Sequence, residues 1–166
     1  MAVSSDIIAT YKGPARVMRK LMSAGQREDR ALAVLMGACV LVFVAQWPRL
    51  AREAHLNTEA EFAQLMAGAL MGWIFIMPLV LYGLAALTHL IAGLFGGRGT
   101  WYRARLALFW SLLASTPLLF LHGLVAGFIG PGTQLSVVGA LWLLAFGIFW
   151  ISGLRVAELE APVKAD

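Results

Sequence analysis

Apolar positions gather into four long runs, near residues 31–48, 65–95, 104–129 and 135–154, separated by short polar or glycine-rich stretches. Runs of this length with almost no charge predict membrane-crossing helices. The first run would rise about 27 Å, close to the ~30 Å hydrocarbon core. Trp47 and Pro48 close it, with the indole at the interface. The second run would rise about 46 Å as a helix and must tilt, kink or project. Pro78, midway along it, is the predicted kink. The rival reading is two shorter spans joined by a tight turn. No polar residue near Pro78 supports one, and a turn there would expose backbone to lipid. Residues 49–58 read as a polar link. Thr58-Glu59-Ala60-Glu61 fits a capping box ahead of the second helix. Gly130-Pro131-Gly132-Thr133-Gln134 is an uncharged turn between the third and fourth runs.

Ahead of the first run, residues 1–13 are mixed and predict loose chain. Pro14 can open a helix and Gly25 can stop it. Between them Val17, Met18, Leu21 and Met22 recur at helical spacing among Arg16, Arg19 and Lys20. The pattern predicts a basic helix lying along the interface, apolar side in the acyl boundary and cations among phosphates. The organisation is then an N-terminal segment (1–30), a transmembrane domain (31–155) and a tail (156–166). The fold class is an all-α four-helix membrane bundle with a basic interfacial helix.

Composition agrees. The 166 residues are 60% hydrophobic and 13% charged, and the mean hydropathy is +0.78. Soluble domains are nearer half apolar and a quarter charged. The net charge of +4 reads as basic loops facing anionic headgroups, with no nucleic-acid partner. Lys and Arg also set the orientation. Under four spans, eleven fall on the side of both termini and only Arg49 and Arg52 on the other. That asymmetry predicts a multi-pass inner (plasma) membrane protein with both termini cytoplasmic.

Candidate chemistry is sparse. Apart from Arg105, at the very start of the third, no Asp, Glu, Lys or Arg falls inside the four runs, which argues against a titrating proton relay. His89 and His122 sit at depths differing by roughly 15–20 Å, too far for one haem, and predict interhelical hydrogen bonding by neutral imidazole. Ser152-Gly153 lacks the preceding glycine of a nucleophile motif, and Cys39 is alone in an apolar run. Gly96-Gly97-Arg98-Gly99 lacks the Gly-Lys-Ser/Thr ending of a nucleotide loop. No catalytic residue, cofactor or metal site is predicted. The residues expected at the lipid interface are Arg16, Arg19, Lys20, Arg98, Trp101, Tyr102, Arg103 and Arg105. Gly68/Gly72 and Gly123/Gly127 have small-residue spacing for close helix packing, within this bundle or against a partner.

The lead-in Gly13-Pro14-Ala15-Arg16, the junction Gly96-Gly97-Arg98-Gly99-Thr100, the following Arg105-Leu106-Ala107-Leu108-Phe109-Trp110 and Pro117 together resemble the bacterial branch of the Ypt/Rab-interacting-protein (Yip) family. The resemblance covers about residues 7–155. Family members commonly show five spans, whereas this sequence gives four. The lack of ionisable residues deep in the runs, beside the small-residue spacing, predicts a non-enzymatic membrane protein of Yip-like type, a scaffold or accessory subunit with a membrane-protein partner or a homo-oligomeric state. The resemblance carries no Rab-binding residue over. The alternative is a small transporter or lipid-handling protein, suggested by Pro78, Pro117 and the glycines.

Overall fold

In lipid, a backbone can satisfy its amides only internally, so charge-poor stretches rich in Leu, Val and Ala become helices. The computed structural model describes residues 3–57 and 61–160. The elements are α1 (Val3–Lys12), α2 (Pro14–Ser23), α3 (Glu28–Ala45), α4 (Trp47–Leu56), α5 (Phe62–Leu70), a π-helical stretch (Met71–Ile76), α6 (Met77–Leu94), α7 (Trp101–Phe128) and α8 (Thr133–Leu159). They form four rods long and apolar enough to cross a membrane: Glu28–Leu56, Phe62–Leu94, Trp101–Phe128 and Thr133–Leu159. The chain is an all-α, four-helix membrane bundle.

α7 is the centre. Every residue from Leu106 to Thr116 is buried, against α3, α4, α6 and α8. Its helix starts at Trp101, where the Thr100 hydroxyl accepts from the Arg103 amide. Pro117 lacks an N–H and leaves the Leu113 carbonyl without its helical donor. The Thr116 hydroxyl fills that vacancy, 2.8 Å from Leu113 O. Ser115 Oγ donates to Leu112 O at 2.9 Å and accepts from Trp142 Nε1 at 3.2 Å, tying α7 to α8.

The second rod is one helix, not two spans. Pro78 acts through the turn before it: the Met77 amide bonds Gly72 O, five residues back, which is π geometry. The extra residue relieves the clash between the proline ring and the preceding turn.

Several expectations are corrected. Residues 3–12 are helical, not loose, because α1 has its own buried side at Asp6 and Thr10. The first rod does not end at Pro48. It tightens at Gln46, whose amide bonds Phe43 O at 3.1 Å, and restarts with Pro48 in the first turn of α4. The link expected over 49–58 is therefore helical to Leu56, held by buried Leu50 and by Arg52 donating to Gly127 O at 3.3 Å. The capping box at Thr58 lies outside the described residues. α8 runs on past residue 154 to Leu159. α2 starts at Pro14, and Gly25 adopts φ +87 just beyond its end. Its apolar face is not in the acyl boundary. Val17, Met18 and Leu21 are buried, and a Cβ at Gly153 of α8 would meet Met18 Cε at 3.1 Å.

Candidate functional site

The densest polar cluster lies where the loop after the second rod meets the end of α8. α6 ends in a glycine-dependent turn: Gly96 has φ +86, and the Gly97 amide bonds Ala92 O at 2.9 Å, closing the last turn. The chain then crosses α8, and the Arg98 amide bonds Glu158 O at 2.8 Å.

The Glu158 side chain points inward and is 3% exposed. A buried carboxylate is costly unless its oxygens are satisfied. Here Oε1 lies 2.6 Å from His89 Nδ1, and Oε2 accepts from the Gly99 amide at 3.1 Å. With the carboxylate ionised, Nδ1 carries the hydrogen and donates it. Trp101 packs edge-on against the imidazole at 4.5 Å. The loop must be glycine to come this close: a Cβ at Gly97 would stand 2.8 Å from Glu158 Oε2, and one at Gly99 2.7 Å from it. A small apolar recess of about 160 Å³ lies beside the carboxylate, between Phe95 and Ile151.

The cations beside this cluster are mostly engaged with protein. Arg103 donates to Val156 O and Glu160 O, both at 2.9 Å, covering carbonyls at the end of α8. Arg19 makes a forked pair with Glu160 at 2.9–3.0 Å, and holds that carboxyl below the usual carboxylate range. Lys20 pairs with Asp6 at 2.6 Å. Arg105 pairs with Glu28 at 2.6 Å and lies over the Tyr82 ring.

Of the residues expected at the lipid interface, Arg16 and Arg98 are exposed, and Trp101 is half exposed. Tyr102 departs from that expectation. It is buried in the core, and its hydroxyl has no partner among the described residues. Arg19, Lys20, Arg103 and Arg105 are spent on ion pairs or helix-end carbonyls.

The small-residue pairs also separate. Gly123 and Gly127 face the junction of α3 and α4, where a Cβ would collide with Ala45 O and with Pro48 respectively. Gly68 and Gly72 meet nothing within 4 Å. They line a groove of about 370 Å³, with Gln46, Arg49 and Glu53 across from them. The two intramembrane histidines have different surroundings: His89 pairs with Glu158, whereas His122 faces Gly139 of α8.

His89 with Glu158 makes an imidazole oriented by a carboxylate, the base-and-orienter half of a catalytic triad. Among the described residues no hydroxyl or thiol is hydrogen-bonded to His89, and no three His, Cys, Asp or Glu side chains converge as a metal site. The arrangement fits a latch holding the 96–99 loop and α6 to the end of α8. Reading 156–166 as tail hides Glu158. The signal available was continued helical spacing, Gly153–Val156–Ala157, up to the first breaker at Pro162. Comparison with protein-family models, with curated proteins and with solved structures finds no match.

Proposed function

We propose that this membrane protein is a non-enzymatic scaffold or accessory subunit of Yip-like type, acting through helix association in the bilayer. One observation carries the reading. The Gly123/Gly127 pair is consumed inside the bundle, whereas the Gly68/Gly72 pair stands open beside a polar-edged groove. Small residues at four-residue spacing let a second helix approach closely enough for backbone packing. The second rod has room for one, since Leu81 and Ala85 are its buried residues. The seam between the second and third rods is filled, with Tyr82 against Phe109 at 5.0 Å. A filled seam favours this reading over a transporter with a central polar path.

The test is a mild-detergent purification of the tagged full chain with size analysis and mass spectrometry. Wild type brings down a stoichiometric membrane partner or runs as a homo-oligomer. Gly68→Leu with Gly72→Leu releases it, and Gly83→Leu, at another open position of the same rod, does not. A lone monomer in every case would refute the proposal.

A further inference from the structure

A cleft of about 760 Å³ opens between the α1–α2 hairpin and α3, floored by Trp110 and Leu113 of α7. That volume is in the range of small-ligand sites, about 300–1,000 Å³. Its walls are almost wholly apolar, with Val34, Val40 and Leu41 along α3. Val40 is 45% exposed, so the cleft is open along its length. Gly37 lies within it, and a Cβ there would meet nothing within 4 Å.

Two charged side chains stand at the cleft, Asp6 and Arg30. Asp6 is neutralised by Lys20 at 2.6 Å. Arg30 is half-buried, and among the described residues its side chain bonds only Leu21 O, from Nη1 at 3.4 Å. The carboxylates nearest in sequence are engaged elsewhere, Asp29 by Arg27 at 2.8 Å and Glu28 by Arg105 at 2.6 Å. The cleft therefore combines an open apolar channel with one uncompensated guanidinium.

We infer that this cleft holds one anionic glycerophospholipid, its acyl chain along Gly37 and Val40 and its phosphate on Arg30. The planar guanidinium fork matches phosphate oxygens. Moving an acyl chain from bilayer to cleft gains little hydrophobic free energy, since both surroundings are apolar. Selectivity then rests on the headgroup. A headgroup of net charge −1 balances Arg30. A choline headgroup brings a second cation, and Asp6 is already taken.

The experiment is native mass spectrometry of the purified full chain, titrated with palmitoyl-oleoyl phosphatidylglycerol, the matching phosphatidylcholine or glycerol 3-phosphate. Wild type retains a single phosphatidylglycerol, preferred over phosphatidylcholine by about fivefold, the worth of one basic residue near an anionic lipid. Arg30→Gln erases the preference. Gly37→Phe, whose Cβ would meet nothing within 4 Å, puts a ring into the channel and removes the bound lipid. Gly37→Leu, a smaller filling, lowers it, and the melting temperature of each variant confirms its fold. Retention of phosphatidylglycerol by folded Gly37→Phe would overturn the inference. So would a preference surviving Arg30→Gln, competition by glycerol 3-phosphate as strong as that of the whole lipid, or a ladder of lipid adducts with no favoured first one.

Discussion

Glu158 and His89 are 69 positions apart in sequence and 2.6 Å apart in the fold. Their pairing joins the second rod to the end of the fourth, and the glycine loop between closes over it. Removing Glu158 leaves the His89 N–H and the Gly99 amide without their acceptor, at a cost of about 1–3 kcal/mol. Glu158→Ala is therefore expected to lower the apparent melting temperature in detergent sharply. Glu158→Gln keeps an acceptor for one donor and should cost roughly half as much. Equal melting of wild type and Glu158→Ala would exclude a latch.

The glycine pairs predict opposite outcomes for the same substitution. Gly123→Ala drives a methyl into Ala45 O and is expected to destabilise by about 1–3 kcal/mol. Gly72→Ala meets open space and should be neutral or stabilising by up to about 1 kcal/mol through helix propensity. Thermal unfolding of both variants in one detergent compares them.

Thr116 and Pro117 should behave as a coupled pair. Thr116→Val strips the Leu113 carbonyl of its donor and is expected to cost about 1 kcal/mol or more. Pro117→Ala restores a backbone N–H for the same carbonyl. A double-mutant cycle should then show the cost of Thr116→Val shrinking in the Pro117→Ala background. Additive costs would mean the hydroxyl does not serve that carbonyl.

Tyr102 carries a buried hydroxyl without a partner among the described residues. Tyr102→Phe removes that unsatisfied group and keeps the ring, so it is expected to be neutral or stabilising by about 1 kcal/mol. A large loss of thermal stability would show that the hydroxyl has a role.

Arg19 holds Glu160 below the usual carboxylate range through their forked hydrogen bond. A carboxyl lowered in the folded state adds stability above its unfolded pKa and loses it as pH falls through the lowered folded value. The contribution is modest, because both side chains are largely exposed. The stability difference between wild type and Glu160→Gln should be present near about pH 6, fade toward about pH 3, and shrink in about 1 M salt.

The four rods were legible because charge-poor runs of this length leave no alternative in lipid. The polar interior was less so. Glu158 reads as tail from composition, and only the latch from the 96–99 loop draws it inside. Asp6 and Thr10 sit in a segment too polar to advertise a buried face, yet Trp110 Nε1 reaches Thr10 Oγ1 at 3.1 Å. The basic residues were visible as a cluster, but their ion-pair partners come from positions up to 141 residues away. Of the four small-residue glycines, sequence spacing could not separate Gly123 and Gly127, which face backbone, from Gly68 and Gly72, which face open space.

The central place of α7 also bears on how the bundle comes together during synthesis. Its buried stretch from Leu106 to Thr116 is the common wall against which α3, α6 and α8 rest. The first two rods leave the ribosome before that wall exists, and until it enters the bilayer the glycine-matched seat at Ala45 and Pro48 is empty. The third rod thus supplies the surface that the first two lack. The fourth closes the fold by bringing Glu158 to a loop that has been waiting since the second.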